Sequence, residues 1–289
     1  MWTNGEKADY FFWWFVTRRC NNHCRHCLRL GIGDRGEELD AAQAKRLLCE
    51  FIDWLRRNGK TASIAFGGAD PCCREDLPDL LHACRDAIDE GLFVRPVGIL
   101  ANAHGMTAAY AKMMFDCGIR HFTISMDGLE ATNDAQRGPG DFRESVRAIP
   151  ILQDAGLEVS IKFTALKNTV GEFAAVRRLA AEHGITRVMP GRLILEGGGK
   201  TCAELALTDE EWERFLAENE IEMPPFHKKG PPRLPHGHFV IMAGGEFRPN
   251  RRGPALGHWP EESFDELMPR IPEAGADSFP PCAFQKKSI

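Results

Sequence analysis

From residue 10 to about residue 195 the chain alternates strand-like and helix-like segments, and that rhythm limits its fold more than any other feature. Aromatic and β-branched runs at 11–16, 62–66, 93–100, 121–126, 159–165 and 187–195 read as strands. Helical patterns lie between them at 40–57, 76–90, 106–115, 142–153 and 171–182. The first has a capping aspartate, Asp40, and ends at Gly59. Strands separated by helices pair in parallel through right-handed crossovers. Six such units are too few to close an eight-fold barrel, so an α/β chain with a partial (β/α)6 TIM-like barrel is expected. In such folds the chemistry sits on loops at the C-terminal ends of the strands.

After Glu196 the rhythm changes. Residues 208–219 read as a helix, with Thr208 as cap and Glu211 three residues on. A Pro/Gly/His/Lys stretch at 223–238 reads as an exposed linker. Residues 239–249 resemble a hairpin turning at Gly244-Gly245, and 261–268 a short helix. The expected division is a barrel over residues 1–200 and a small α+β C-terminal cap over 201–289.

Hydrophobic residues make up 43% and charged residues 27% of the 289, an ordinary soluble composition. The net charge of −5 gives no reason to expect nucleic-acid binding. No apolar run approaches the ~18–20 residues of a membrane span, and the run Phe11–Val16 lacks the flanks of a signal peptide. A cytoplasmic protein without membrane contact is expected.

Ten cysteines in such a chain argue for metal or thiol chemistry over disulfides. Cys49, Cys84 and Cys117 lie on apolar helical stretches and read as core packing. Cys20, Cys24 and Cys27 crowd one loop directly after the first strand. Three thiolates can hold three irons of a four-iron, four-sulfur cluster, whose usual complement is four. The missing ligand leaves one iron open. The competing reading is a zinc knuckle completed by His23 or His26.

This loop, C-x3-C-x2-C, resembles that of the radical S-adenosylmethionine (SAM) enzymes. Phe66-Gly67-Gly68-Ala69-Asp70-Pro71 is similar to the family's Gly-Gly-Glu-Pro segment, with Ala69 and Asp70 replacing Gly and Glu. Ile124-Ser125-Met126-Asp127-Gly128, Arg137-Gly138-Pro139-Gly140-Asp141-Phe142 and Phe163-Thr164-Ala165-Leu166-Lys167-Asn168 resemble the branch with a SPASM extension. Gly245-Glu246-Phe247-Arg248-Pro249-Asn250 resembles that extension's hairpin, with Asn250 where a cysteine ligand would stand. Only Cys202 and Cys282 remain beyond residue 200, so one cluster is expected.

The resemblance implies an oxygen-sensitive enzyme in which the open iron binds the amino and carboxylate groups of SAM. One electron then cleaves a carbon–sulfur bond, and the 5′-deoxyadenosyl radical formed takes hydrogen from a substrate. His26 would stand near the adenine, or be a surface histidine. Gly67, Gly68 and Ala69 would form a backbone edge toward the methionine end, and Asp70 would accept from its ammonium. Ser125 and Asp127 are candidates for ribose or substrate, with Asp127-Gly128 also a plain turn signal. Lys162, Thr164, Asn168 and Arg192 are further cofactor or substrate contacts on the fifth and sixth strands. Lys162 and Thr164 share one strand face, and an inward Lys162 would need a carboxylate partner.

Arg18, Arg19, Arg25 and Arg29 would offset cluster charge or dock an acidic electron donor such as flavodoxin or ferredoxin. Cys202 or Cys282 would return hydrogen to a substrate radical. His227, His236, His238 and His258 are candidates for a second metal site with Cys282. Gly197-Gly198-Gly199-Lys200-Thr201 fails the phosphate-loop pattern at Ile194 and reads as a flexible exit from the sixth strand.

The substrate is expected to be a small metabolite, or a peptide brought by a separate leader-binding protein, because little chain precedes the first strand. With no auxiliary cluster to accept an electron, epimerisation, rearrangement or radical addition is favoured over net oxidation. The alternatives are a non-catalytic cluster-binding protein and a zinc-stabilised one.

Overall fold

The computed structural model describes residues 8–27, 38–94, 97–221, 237–250 and 253–271. Six parallel strands form the expected open barrel: β1 (Tyr10–Thr17), β2 (Ala62–Gly68), β3 (Val97–Ala101), β4 (Ile119–Ser125), β5 (Glu158–Ala165) and β6 (Val188–Arg192), laid side by side in chain order. The connecting helices are α1 (Ala41–Asn58), α2 (Leu77–Asp89), α3 (Ala108–Asp116), α4 (Glu130–Arg137), α5 (Asp141–Asp154) and α6 (Phe173–Glu182). Local chemistry sets their ends. Asp40 and Gln43 form a reciprocal capping box on α1, and Gly59 closes it in the left-handed region at φ 57°.

Alternation along the strands separates two faces. Phe12, Trp14 and Val16 of β1 are buried against the helices, and the Phe12 ring meets Phe51 of α1 edge-on at 4.9 Å. Phe163 of β5 meets Phe173 of α6 in the same way at 5.0 Å. Each such ring contributes roughly 1.5–3 kcal/mol by leaving water. The inner face carries the other set, half-buried Phe11, Trp13 and Phe15 on β1, then Thr123 and Ser125 on β4, and Lys162 and Thr164 on β5.

Beyond β6 come the short α7 (Gly198–Thr201) and α8 (Asp209–Glu218), the latter capped by the Thr208–Glu211 box. Strand β7 (Gly237–Ile241) then pairs parallel with β1, and β8 (Glu246–Arg248) and β9 (Gly257–His258) follow antiparallel, making a nine-stranded sheet. Helix α9 (Phe264–Leu267) follows β9. Phe239 stacks on Phe12 at 5.0 Å, and Phe264 lies 5.3 Å from Phe51, so the C-terminal residues share the barrel's core. The turn before β8 needs Gly245, whose φ is 95° and where a Cβ would strike the Trp259 carbonyl.

Two sequence expectations change. Cys84 and Cys117 are buried as expected, but Cys49 is exposed on the solvent side of α1. Helix α4 was not signalled at all. Its sequence, EATNDAQR, has no apolar stripe, because the face it buries is polar: Asn133, Gln136 and Arg137.

Candidate functional site

Three separate pieces of the barrel rim hold the cysteine loop. The first is the end of β2. Ala69 N donates to Thr17 O at 3.1 Å and Asp70 N to Arg19 O at 2.9 Å. Gly68 has φ 128° and lies so close to β1 that a Cβ would stand 2.7 Å from Thr17 O. Asp70 is only 2% exposed, and its carboxylate accepts from Cys72 N at 2.9 Å and Asn102 N at 2.8 Å. Burial raises its pKa while these N–H groups hold it down. Asn102 then donates through Nδ2 to Asn21 Oδ1 at 2.5 Å and reaches Cys20 Sγ at 3.9 Å. Arg74, also buried, donates to Val16 O at 2.7 Å and to Asp76 Oδ2 at 2.8 Å, which fixes where the loop leaves β1.

The second piece is the segment from β4 through α4 to α5. Asp127 is fully buried. Its Oδ1 accepts from Thr164 N at 2.6 Å. Its Oδ2 lies 2.7 Å from Arg137 Nε and 3.3 Å from His26 Nε2. Asn133 bridges onward, accepting from Asp127 N at 2.8 Å and donating to Asp141 Oδ2 at 2.8 Å. Asp141 in turn accepts from Asn22 Nδ2 at 2.6 Å and contacts His104 Nε2 at 2.8 Å. That hydrogen bond raises the His104 pKa, whereas burial lowers that of His26 against the pull of Asp127. Arg25 N donates to Gln136 O at 2.8 Å.

The third piece is the glycine turn after β6. Gly198 N donates to Cys27 O at 2.8 Å, and a Cβ on Gly198 would stand 2.9 Å from that same carbonyl. The segment read as a flexible exit is therefore a close backbone contact with the cysteine loop. Gly198 serves that approach, while Gly199 packs against the Ile194 carbonyl of its own turn.

Cys20 is at the solvent edge, with Cys24 and Cys27 half-buried. Desolvation, with neighbouring carboxyl and thiol groups, pushes the Cys20 thiol up to about 12 and Cys24 up to about 11. Free thiolates are disfavoured here, and a cation that binds sulfur reverses the balance. Donors already face the sulfurs. Asn22 N lies 3.4 Å from Cys20 Sγ, and Arg137 Nη1 donates to Cys24 Sγ at 3.8 Å. Soft sulfur ligands, N–H donors and a buried cation fit an anionic iron–sulfur cluster held by Cys20, Cys24 and Cys27. Among the described residues no three His, Cys, Asp or Glu side chains converge on one metal ion.

The remaining sequence-predicted residues divide. Gly67, Gly68, Ala69, Asp70, Ser125, Asp127 and Thr164 lie at the C-terminal ends of β2, β4 and β5, and Lys162 stands level with Ser125 in the strand register, one step inward of Thr164. Arg192 instead reaches the start of α8, donating to Leu207 O at 2.7 Å and Asp209 Oδ1 at 2.5 Å. Asn168 is exposed in the turn after β5. Cys202 is buried against the back of the cysteine loop, its Sγ donating to Gly198 O at 3.1 Å and Arg25 O at 3.4 Å.

Cys282, His227, His236 and Arg29 lie outside the described residues. His238 stacks on Phe11 and His258 pairs with Glu261, so these two do not come together. Arg137 and Asp141, which stand in a quoted motif without an assigned role, and Arg74, Asn102, His104 and Asn133, which carry no signal in the sequence, organise the site.

Over 200 residues the chain is 32% identical to the Fe-coproporphyrin III synthase of Methanosarcina barkeri, covering 68% of this chain and 47% of that one. It is 30% identical over 194 residues to the mycofactocin maturase MftC of Mycolicibacterium smegmatis, covering 64% and 46%. The chain thus spans about half the length of the curated relatives it matches. The structure of anSMEcpe with bound AdoMet and Cp18Cys peptide superposes with a TM-score of 0.67 at 18% identity, covering 90% of this chain and 79% of that one. Among the described residues no helix is long and apolar enough to cross a membrane. The profile described as the Radical SAM superfamily matches residues 14–180, which hold the three thiols and the two rim segments that clasp them from β2 and β4; by that match, the chain belongs to the radical SAM superfamily.

Proposed function

We propose that this chain is the catalytic core of an enzyme that cleaves SAM at a single four-iron, four-sulfur cluster and uses the resulting radical to take hydrogen from a small metabolite. The observation that carries the reading is the meeting of Cys20, Cys24 and Cys27 with the Gly67–Asp70 edge at the C-terminal rim of the barrel. When bound, the cluster supplies the electron that breaks the carbon–sulfur bond of SAM. The chain's own residues position and exclude. Cys20, Cys24 and Cys27 hold three irons. The Gly67-Gly68-Ala69 segment would face the methionine end of SAM, and His26, within the cysteine loop and 3.3 Å from Asp127 Oδ2, would face the adenine. Asp70 sets the shape of that edge through its two backbone N–H bonds.

The inner barrel face offers rings on β1 and polar groups on β4 and β5, Lys162 among them. This suits an apolar body bearing carboxylates, and the relatives named for coproporphyrin and heme synthesis make a porphyrin the first substrate to test. Epimerisation, rearrangement or radical addition is the proposed outcome. Arg19 and Arg25 are exposed beside the cluster loop and suit an acidic donor such as flavodoxin or ferredoxin.

The similarity to MftC favours a second reading, a maturase acting on a ribosomal peptide with a separate leader-binding protein. Anaerobic reconstitution followed by dithionite and SAM tests the activity: 5′-deoxyadenosine is expected, and its absence with several reductants contradicts the reading. Deuterium transfer from labelled porphyrin or labelled peptide into 5′-deoxyadenosine separates the two substrates.

A further inference from the structure

We propose that Arg137 and Asp127 form a buried charge couple that sets the reduction potential of the cluster, with Arg137 favouring the reduced form and Asp127 restraining it. This rests on the reading of the cysteine loop as the cluster site. The guanidinium bridges two unlike partners. Nη1 donates to Cys24 Sγ at 3.8 Å, and Nε stands 2.7 Å from Asp127 Oδ2. The Arg137 side chain is 8% exposed and that of Asp127 0%, so water screens neither.

Reduction adds one negative charge to a cluster already carrying the charge of three thiolates. A fixed cation in hydrogen-bond contact with one ligand sulfur favours that added charge. A carboxylate on the far side of the same guanidinium opposes it. The other charged or titratable groups packed here are Asp141, tied to Asn22, Asn133 and His104, and His26, which burial holds toward its neutral form. Arg137 is therefore the described cation in direct contact with a cluster thiol. It stands as a positioning residue toward the cluster.

The placement also explains why α4 buries a polar face. Asn133, Gln136 and Arg137 turn inward from one short helix. Gln136 O holds the loop through Arg25 N, Asn133 orients Asp127, and Arg137 meets the sulfur. The helix works as a single bracket for the loop and its charge.

The test is anaerobic potentiometry on reconstituted protein, with dithionite as reductant and the cluster's paramagnetic signal as readout, and iron and sulfide measured per chain. Arg137→Gln is expected to make the potential more negative, and Asp127→Asn to make it more positive. Each shift should reach about tenfold in the reduced-to-oxidised ratio at a fixed potential, which is ~59 mV for one electron. Arg137→Lys, which keeps the charge, should stay near the unaltered protein. A merely structural role moves both neutral variants in the same direction or leaves both unchanged, and either result overturns the proposal. So does loss of the cluster from both, which makes the couple a scaffold only. If the unaltered protein takes up no four-iron cluster, the underlying reading fails instead.

Discussion

Gly198 donates its N–H to the carbonyl of Cys27 at 2.8 Å, so the turn after the sixth strand closes onto the loop that begins after the first. The contact spans the open barrel and leaves no room for a side chain: a Cβ would meet the Arg25 carbonyl as well as that of Cys27. Gly198→Ala should therefore push the loop aside. Overpacking of this kind costs about 1–3 kcal/mol. Iron content after reconstitution should fall severalfold while the far-ultraviolet circular dichroism stays near normal. Full iron loading would show that the loop tolerates the displacement.

Asp70 is a brace as well as a candidate for the SAM ammonium. It ties Cys72 N and Asn102 N to one carboxylate. Asp70→Ala leaves both buried donors without that partner, at about 1–3 kcal/mol each. Asp70→Asn keeps an acceptor oxygen. Thermal unfolding should therefore show a large loss for the alanine variant and a smaller one for asparagine. SAM affinity, measured by equilibrium dialysis, should drop for both if the charge also meets the ammonium.

His238 makes stability pH-dependent. Burial depresses its folded pKa from 6.5 to about 4, despite its hydrogen bond to Pro249 O. The unfolded chain then binds more protons in that interval, so stability rises with pH across it. The neutral histidine's contribution is complete above pH 6.5 and lost as pH falls toward 4. At ~1.4 kcal/mol per unit the swing is at most roughly 3.5 kcal/mol. His238→Phe keeps a ring against Phe11 and should flatten the acid side of the urea midpoint plotted against pH. An unchanged slope would assign the acid sensitivity elsewhere.

Helix α8 begins with a reciprocal box, Thr208 Oγ1 accepting from Glu211 N at 3.1 Å and Thr208 N donating to Glu211 Oε2 at 2.7 Å. Thr208→Ala should destabilise the protein by ~1 kcal/mol. Chemical denaturation checks this, and cluster loading should not change.

Much of this architecture was legible because it rests on short-range patterns. The Asp40–Gly59 helix, the Thr208 box and the strand alternation are written within a few residues of one another. The Cys20, Cys24 and Cys27 spacing marked the loop after β1 in the same way. What stayed hidden depends on contacts between distant segments. Helix α4 has no apolar stripe to reveal it, because it buries amides and a guanidinium. Asp127-Gly128 looks like any turn until Arg137, His26 and Thr164 are seen around the carboxylate. Arg192 sits on the expected strand, but Asp209 and the Leu207 carbonyl draw it toward α8. The role of Gly198 required knowing that β6 returns beside the loop of β1.

The central claim is that three thiolates leave one iron free for SAM to chelate. Electron paramagnetic resonance of the dithionite-reduced, reconstituted protein tests it most directly, recorded with and without SAM. The account predicts a four-iron signal that changes shape when SAM is added and disappears with Cys20→Ala, Cys24→Ala or Cys27→Ala. A signal identical with and without SAM, from a cluster that is otherwise intact, would contradict it.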